Sequence, residues 1–230
     1  KLTGAAPRAP SVMTCVAREG RVSEVLEEEE IEAILAGYQA AAQKAAAAGY
    51  DMIEIQAGHG YLVSQFLSEK LNRREDRFGK DRMLFAREAV TRAMKGAPGL
   101  PFLIRISGDE MAPEFSPGGE SLLSLLEFVE GAGICAVHVG MGNACFSPPW
   151  YFHHGSLPEK PQNDALAWIR EQTYLPVIAA GRMGRRRRIQ QLIDEGLADM
   201  VALGRPMIAD PDLLAKWEAK QDDKVRYCGY

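Results

Sequence analysis

The feature that most constrains this chain is a rhythm. Short apolar runs at residues 52–55, 102–106, 135–139, 176–180 and 200–203 alternate with stretches of helical periodicity near 82–95, 120–130, 163–172 and 185–195. Strands that alternate with helices imply βα units and a parallel sheet. A further helix is predicted to start at Asp210-Pro211, with Asp as the N-cap and Pro at the first helical position. Ahead of the rhythm lies a helix whose first turn holds Glu27, Glu28, Glu29 and Glu30, where the macrodipole favours carboxylates. Its alanine-rich part runs to Ala48, and Gly49 ends it. Residues 4–20 read as a loop. No linker interrupts the pattern, so residues 1–230 are expected to be one domain: a loop region 1–22, βα units 23–227, and a terminal segment 228–230.

A chain of 230 residues, 47% apolar and 25% charged, can bury a sizeable core. Its net charge of −4 argues against a whole-chain nucleic-acid binder. No apolar run is long enough to cross a bilayer, and Lys1-Leu2-Thr3-Gly4 lacks the apolar segment of a signal peptide. Cys15, Cys135, Cys145 and Cys228 include no C-x-x-C pair and are too few for a disulfide framework. They are therefore expected to be reduced, in a cytoplasmic protein. The first three read as ordinary residues.

The strand exits are the informative part. They read Gln56-Ala57-Gly58-His59-Gly60, Ser107-Gly108-Asp109, Gly140-Met141-Gly142, Gly181-Arg182 and Gly204-Arg205. Glycine and polar residues at the carboxyl ends of parallel strands are where α/β proteins place ligands. The two final exits pair a glycine with an arginine, which suits a phosphate; the alternative is a pair of tight turns. Five parallel strands do not close a barrel, so the sheet is either doubly wound or part of a barrel.

Three further groups of residues carry a resemblance. They are Glu54-Ile55-Gln56-Ala57-Gly58-His59-Gly60-Tyr61-Leu62 with Gln65-Phe66-Leu67, then Asn72-Arg73-Arg74-Glu75-Asp76-Arg77-Phe78-Gly79, then Pro176-Val177-Ile178-Ala179-Ala180-Gly181-Arg182 with Gly204-Arg205-Pro206. Together they resemble the old yellow enzyme family of NADH:flavin oxidoreductases. Ala209-Asp210-Pro211 and the tail to Tyr227-Cys228-Gly229-Tyr230 resemble its 2,4-dienoyl-CoA reductase and enoate reductase branch.

The resemblance implies an α/β fold, a (β/α)8 TIM barrel of which this chain supplies about strands four to eight. It implies FMN at the strand tips, with NAD(P)H as electron donor. The first three strands would lie outside this chain, supplied by a longer protein, a partner subunit or a homo-oligomer. The branch continues into a [4Fe–4S] segment and an FAD domain, for which Cys228 would be the first cluster ligand and the next would lie beyond Tyr230. The alternative for Cys228 is a free thiol.

The same resemblance implies the roles at the site. Tyr61 matches a proton donor, His59 the second of a pair that holds a substrate carbonyl, and Gln56 replaces the usual first histidine of that pair. Arg105 matches an arginine over the flavin N1/O2 edge; the alternative is an ion pair with Glu54 or Asp109. Gly181, Arg182, Gly204 and Arg205 match the phosphate cradle. A histidine in the loop after strand six aids protonation in that branch, and the spacing assigns neither His153 nor His154 to it. The run Arg185, Arg186, Arg187 and Arg188 reads as a solvated helix face with an acidic partner nearby, or as an attractor of CoA or NADP phosphates or of nucleic acid.

The implied reaction is reduction of an activated C=C bond in an enone, enoate or CoA thioester. A catalytically degenerate flavoprotein subunit, and an FMN-dependent barrel dehydrogenase, are the alternatives.

Overall fold

The alternating pattern becomes one parallel sheet. The structure is a computed structural model and describes residues 6–153 and 155–229. Its first residues are more ordered than a loop. They form two small pairs, with β1 (Arg8–Ala9) parallel to β4 (Glu24–Val25) and β2 (Thr14–Cys15) antiparallel to β3 (Arg21–Val22). The helix Glu28–Ala47 follows, capped at Glu27 by a reciprocal capping box with Glu30.

The main sheet contains β5 (Ile53–Gln56), β6 (Phe102–Ser107), β7 (Ala136–Gly140), β8 (Val177–Ala180) and β9 (Met200–Ala202), all parallel and in sequence order. A doubly wound sheet reverses its order at a switch point. This one never reverses, which is the order of consecutive strands in a (β/α)8 barrel. The helices Leu84–Gly96, Gly119–Ala132, Lys160–Gln172 and Arg186–Asp194 cross between successive strands, as the periodicity predicts.

Strand alternation sorts the two faces. The row Ile55, Ile104, Val137 and Val177 faces the helices and is buried with Leu35, Phe85, Leu126 and Ile169 in one core. Phe66 stacks on Phe85 at 4.1 Å between centroids and tilts against Phe78 at 5.9 Å. The next row, Gln56, Arg105, His138, Ile178 and Met200, lies on the opposite face. It is polar at three of its five positions. The core thus sits on one side of the sheet and the chemistry on the other.

The second sequence motif is structural. Asn72 Nδ2 donates to the carbonyls of Phe66 and Phe78, each at 2.8 Å. Asp76 caps the short helix Arg77–Lys80 by accepting from Phe78 and Gly79 N–H. Arg74 bonds Asp76 and reaches the carbonyls of Pro10 and Leu26, tying the β1–β4 segment to the barrel wall.

Three further expectations are corrected. The helix expected at Asp210-Pro211 begins at Leu213 (Leu213–Glu218), because the buried Asp210 carboxylate instead takes Lys216 Nζ and the N–H groups of Asp212 and Arg226. Cys15 and Cys145 are joined by a disulfide, so these two are not reduced ordinary cysteines. They are 130 residues apart, a distance no local spacing reveals, and the fold brings their Cα atoms to 4.9 Å. Arg188 is 3% exposed, so residues 185–188 are not a uniformly solvated face. Arg188 donates to Gln162 and Asn163, Arg186 to the Trp217 carbonyl, and Arg185 lies 3.7 Å over the Tyr227 ring. The expected acidic partner is Glu159, which stands 3.6 Å from Arg182 and 3.7 Å from Arg188.

Candidate active site

The strands end around a common cavity of about 470 Å³. Gln56, His59, Tyr61, Arg105, Gly181, Arg182, Gly204 and Arg205 all line it. The catalytic and flavin-site residues read from the sequence therefore converge on one place. Cys228 does not join them. It lines a second cavity of about 820 Å³ that shares His153, Arg182, Met183, Arg205 and Pro206 with the first. A [4Fe–4S] centre takes four ligands, and the described residues contain no group of three His, Cys, Asp or Glu able to hold a metal. Those residues alone make no cluster site. His154 and Tyr230 lie outside the described residues.

Beyond β5 the chain turns through two left-handed residues, His59 (φ 61°) and Gly60 (φ 70°). Gln56 Oε1 accepts the Gly58 N–H at 2.9 Å, so the amide NH2 is what Gln56 has left to offer. The His59 N–H donates to Ser107 Oγ at 2.8 Å. Its Nδ1 lies 3.1 Å from the Gly142 carbonyl, which only accepts, and 3.2 Å from Ser107 Oγ, whose hydroxyl donates to the same carbonyl, so the proton is assigned to Nδ1. Nε2 is buried without a partner among the described residues. Burial, aided by the charge of Arg105 and opposed by the Gly142 bond, pushes the His59 pKa down to about 4. At neutral pH His59 therefore presents a bare nitrogen lone pair.

His153 is another buried imidazole. Burial and the charges of Arg182, Arg205 and Arg188 bring it to about 4 as well. Two glycines make room for these rings. A Cβ on Gly140 would meet His59 Cε1 at 2.6 Å, and one on Gly181 (φ 93°) would collide with His153 Nδ1.

Arg105 forms no ion pair with Glu54 or Asp109. Glu54 Oε2 instead takes His138 Nδ1 at 2.6 Å. Burial raises the Glu54 pKa, but the bond and charge of His138 together with Arg105 outweigh it and hold the group below the ordinary carboxylate range. His138 lines the cavity, and its Nε2 is buried without a partner among the described residues.

Tyr61 Oη lies 2.9 Å from Tyr151 Oη, and the Tyr151 ring meets His59 edge-on at 5.3 Å. Glu110, 3% exposed, clamps the two loops that carry these residues. It accepts from Gly60 N–H, Ser64 Oγ and Asn143 Nδ2, while Ser147 Oγ donates to its carbonyl. Burial raises its pKa against those three donors.

Sequence reasoning missed Tyr151, Glu110 and the Glu54–His138 pair. The pair had a signal: each residue is a polar interruption of an apolar run, the cue that singles out Arg105. Tyr151 and Glu110 had none beyond their place in loops.

The cavity suits a polar ligand that brings an anionic part to its guanidinium groups and N–H or O–H groups to its neutral imidazoles. His59 Nε2, Arg105 Nε, His138 Nε2, His153 Nε2 and Arg182 Nη1 are all buried and unpartnered among the described residues, and all belong to lining residues. Buried polar atoms are costly unless something pairs them. Arg182 and Arg205 add cations at one end, and Gly204 leaves open space beside them.

Comparison with known proteins gives this cavity a context. The chain is 32% identical to a metal reductase of Desulforamulus reducens over 99% of its length and 34% of the relative's. It is 33% identical to an NADH oxidase of Thermoanaerobacter brockii (98% of the chain, 35% of the relative). It is 31% identical to a cinnamate reductase of Clostridium sporogenes (87% and 33%). The chain thus spans about a third of the length of these relatives. The solved structure of a 2-naphthoyl-CoA reductase in complex with 2-naphthoyl-CoA shares the fold, with a TM-score of 0.85 at 23% identity, over 96% of this chain and 34% of that one. Residues 4–224 match the NADH:flavin oxidoreductase / NADH oxidase family. With the match running through every strand and every exit loop of the sheet, the chain belongs to that family of oxidoreductases.

Proposed function

We propose that the cavity holds FMN and that the chain forms the catalytic face of an NAD(P)H-dependent oxidoreductase reducing an activated C=C bond. The substrate class is an enone, enoate or CoA thioester such as a dienoyl-CoA. The observation that carries this reading is the convergence of Gln56, His59, Tyr61, Arg105, Gly181, Arg182, Gly204 and Arg205 on one cavity with unpartnered polar atoms. The cinnamate reductase among the relatives supports the bond type.

When bound, FMN supplies the hydride chemistry. Arg182 and Arg205, with the backbone at Gly181 and Gly204, hold its phosphate. Arg105 holds the pyrimidine edge. Gln56 donates its amide N–H to the substrate carbonyl oxygen, where negative charge develops. Tyr61, hydrogen-bonded to Tyr151, holds the phenolic proton destined for the α-carbon. His59 donates to an oxygen only as an imidazolium, and burial confines that form to pH below about 4. At neutral pH it accepts a hydrogen bond, so the site favours a substrate that places an N–H or O–H beside its acceptor oxygen.

Bound FMN is read from visible absorbance, and turnover from NADPH consumption with an enone or a cinnamate. Tyr61→Phe should slow alkene reduction by about 100-fold while reduction of FMN by NAD(P)H continues at the wild-type rate. Unchanged alkene turnover would remove Tyr61 from the acid role.

His59 also favours a second reading. A neutral imidazole with a bare, buried Nε2 can accept a hydrogen bond from the N–H of a bound amine and so orient it for oxidation. Reduction of bound FMN by a small N-methyl amine, with no enone turnover, selects it.

A further inference from the structure

We infer that His138 is a positioning residue that keeps Glu54 from pairing directly with Arg105, so that Arg105 meets the ligand with no carboxylate bonded to its guanidinium. The inference rests on the FMN reading above.

Arg105 and His138 are opposite each other on β6 and β7, and Gln56 is opposite Arg105 on β5. Glu54 lies two residues before Gln56 and so projects from the same face. That makes it a diagonal neighbour of Arg105, within reach of long side chains. A half-buried arginine beside a carboxylate normally pairs with it, since an unpaired cation is costly to bury. Here Glu54 reaches past β6 to His138 Nδ1 at 2.6 Å, and Arg105 Nε is left without a partner among the described residues.

No other group takes Glu54's place. Asp109, at the exit of β6, spends Oδ1 on the Met111 N–H at 2.6 Å. His59 is neutral and Gln56 uncharged. From β8 and β9 the same row presents Ile178 and Met200. The one carboxylate on this face of the strands is therefore committed to an imidazole. The pyrimidine edge of a flavin gains negative charge on two-electron reduction, and a bare guanidinium stabilises it there. Freed from His138, Glu54 would pair with Arg105 and cancel that charge.

The test uses the protein loaded with FMN. Wild-type protein that takes up no FMN sinks the FMN reading, and this inference with it. If FMN binds, the midpoint potential is measured by redox titration against dyes. In His138→Leu, reduced FMN should be held about tenfold less tightly relative to oxidised FMN, a shift of about 30 mV to more negative potential. The double variant with Glu54→Gln should return to the wild-type potential, because no carboxylate remains to pair with Arg105. A purely structural role for His138 would leave single and double variants equally shifted. An unchanged potential in His138→Leu, or no recovery in the double variant, overturns the inference. Should His138→Leu fail to fold, Glu54→Gln alone decides: its potential should stay at or above the wild-type value, and a fall refutes the inference.

Discussion

His59 and His153 sit buried with neutral rings, each with a pKa near 4 against an ordinary 6.5. Between those values the unfolded chain binds protons that the folded chain refuses. Unfolding free energy therefore falls as pH drops through this window, and the contribution is complete above 6.5. Each histidine accounts for about 3 kcal/mol across the full window. Urea melts at about pH 7 and about pH 4.5 should show this loss, with His153→Gln removing roughly half of the histidine-dependent part. A stability flat across the window would refute the assignment. Tyr61 and His59 were legible because a motif surrounds them, and Arg105 because a charge interrupts an apolar strand. His138 and Glu54 interrupt their strands in the same way. What the sequence could not carry is their pairing, which spans two strands and 84 residues.

At the scale of elements, strands and crossover helices were legible to within a few residues, since periods of 2 and 3.6 report burial directly. The loops were not, because their order comes from tertiary hydrogen bonds. Residues 146–152 read as an aromatic, proline-rich segment. In the fold they include the helix Pro148–Tyr151 and deliver Tyr151 to Tyr61. Glu110 holds this loop to the one carrying His59. Glu110→Ala leaves Gly60 N–H, Ser64 Oγ and Asn143 Nδ2 without their shared acceptor. The expected cost is about 3 kcal/mol, seen as a lower urea midpoint. Hydrogen exchange should speed up in both loops and leave β6 and β7 protected. Uniform exchange across the sheet would show that Glu110 does not clamp the loops specifically.

For the whole molecule, unbroken strand order and one-sided polarity decide between barrel and doubly wound sheet, and both follow from local pattern once the register is known. The disulfide follows from nothing local. It closes a loop of 130 residues from β2 to the loop after β7. In the chain-entropy account that stabilises the fold by about 5 kcal/mol. Cys15→Ser should therefore lower Tm by roughly 10 °C, and a reducing dithiol should do the same to the wild type while leaving the variant unchanged. Equal Tm values with and without the thiol would show that the bond contributes nothing. Among the described residues, no helix is long and apolar enough to cross a membrane.

The half-cystine at residue 145 lies six positions before Tyr151, in the segment that also supplies the carbonyl for His59. Oxidation of a single sulfur pair thus braces both the phenol couple and the imidazole from outside the barrel. Protein prepared in thiol buffer would lose that brace at the mouth of this cavity.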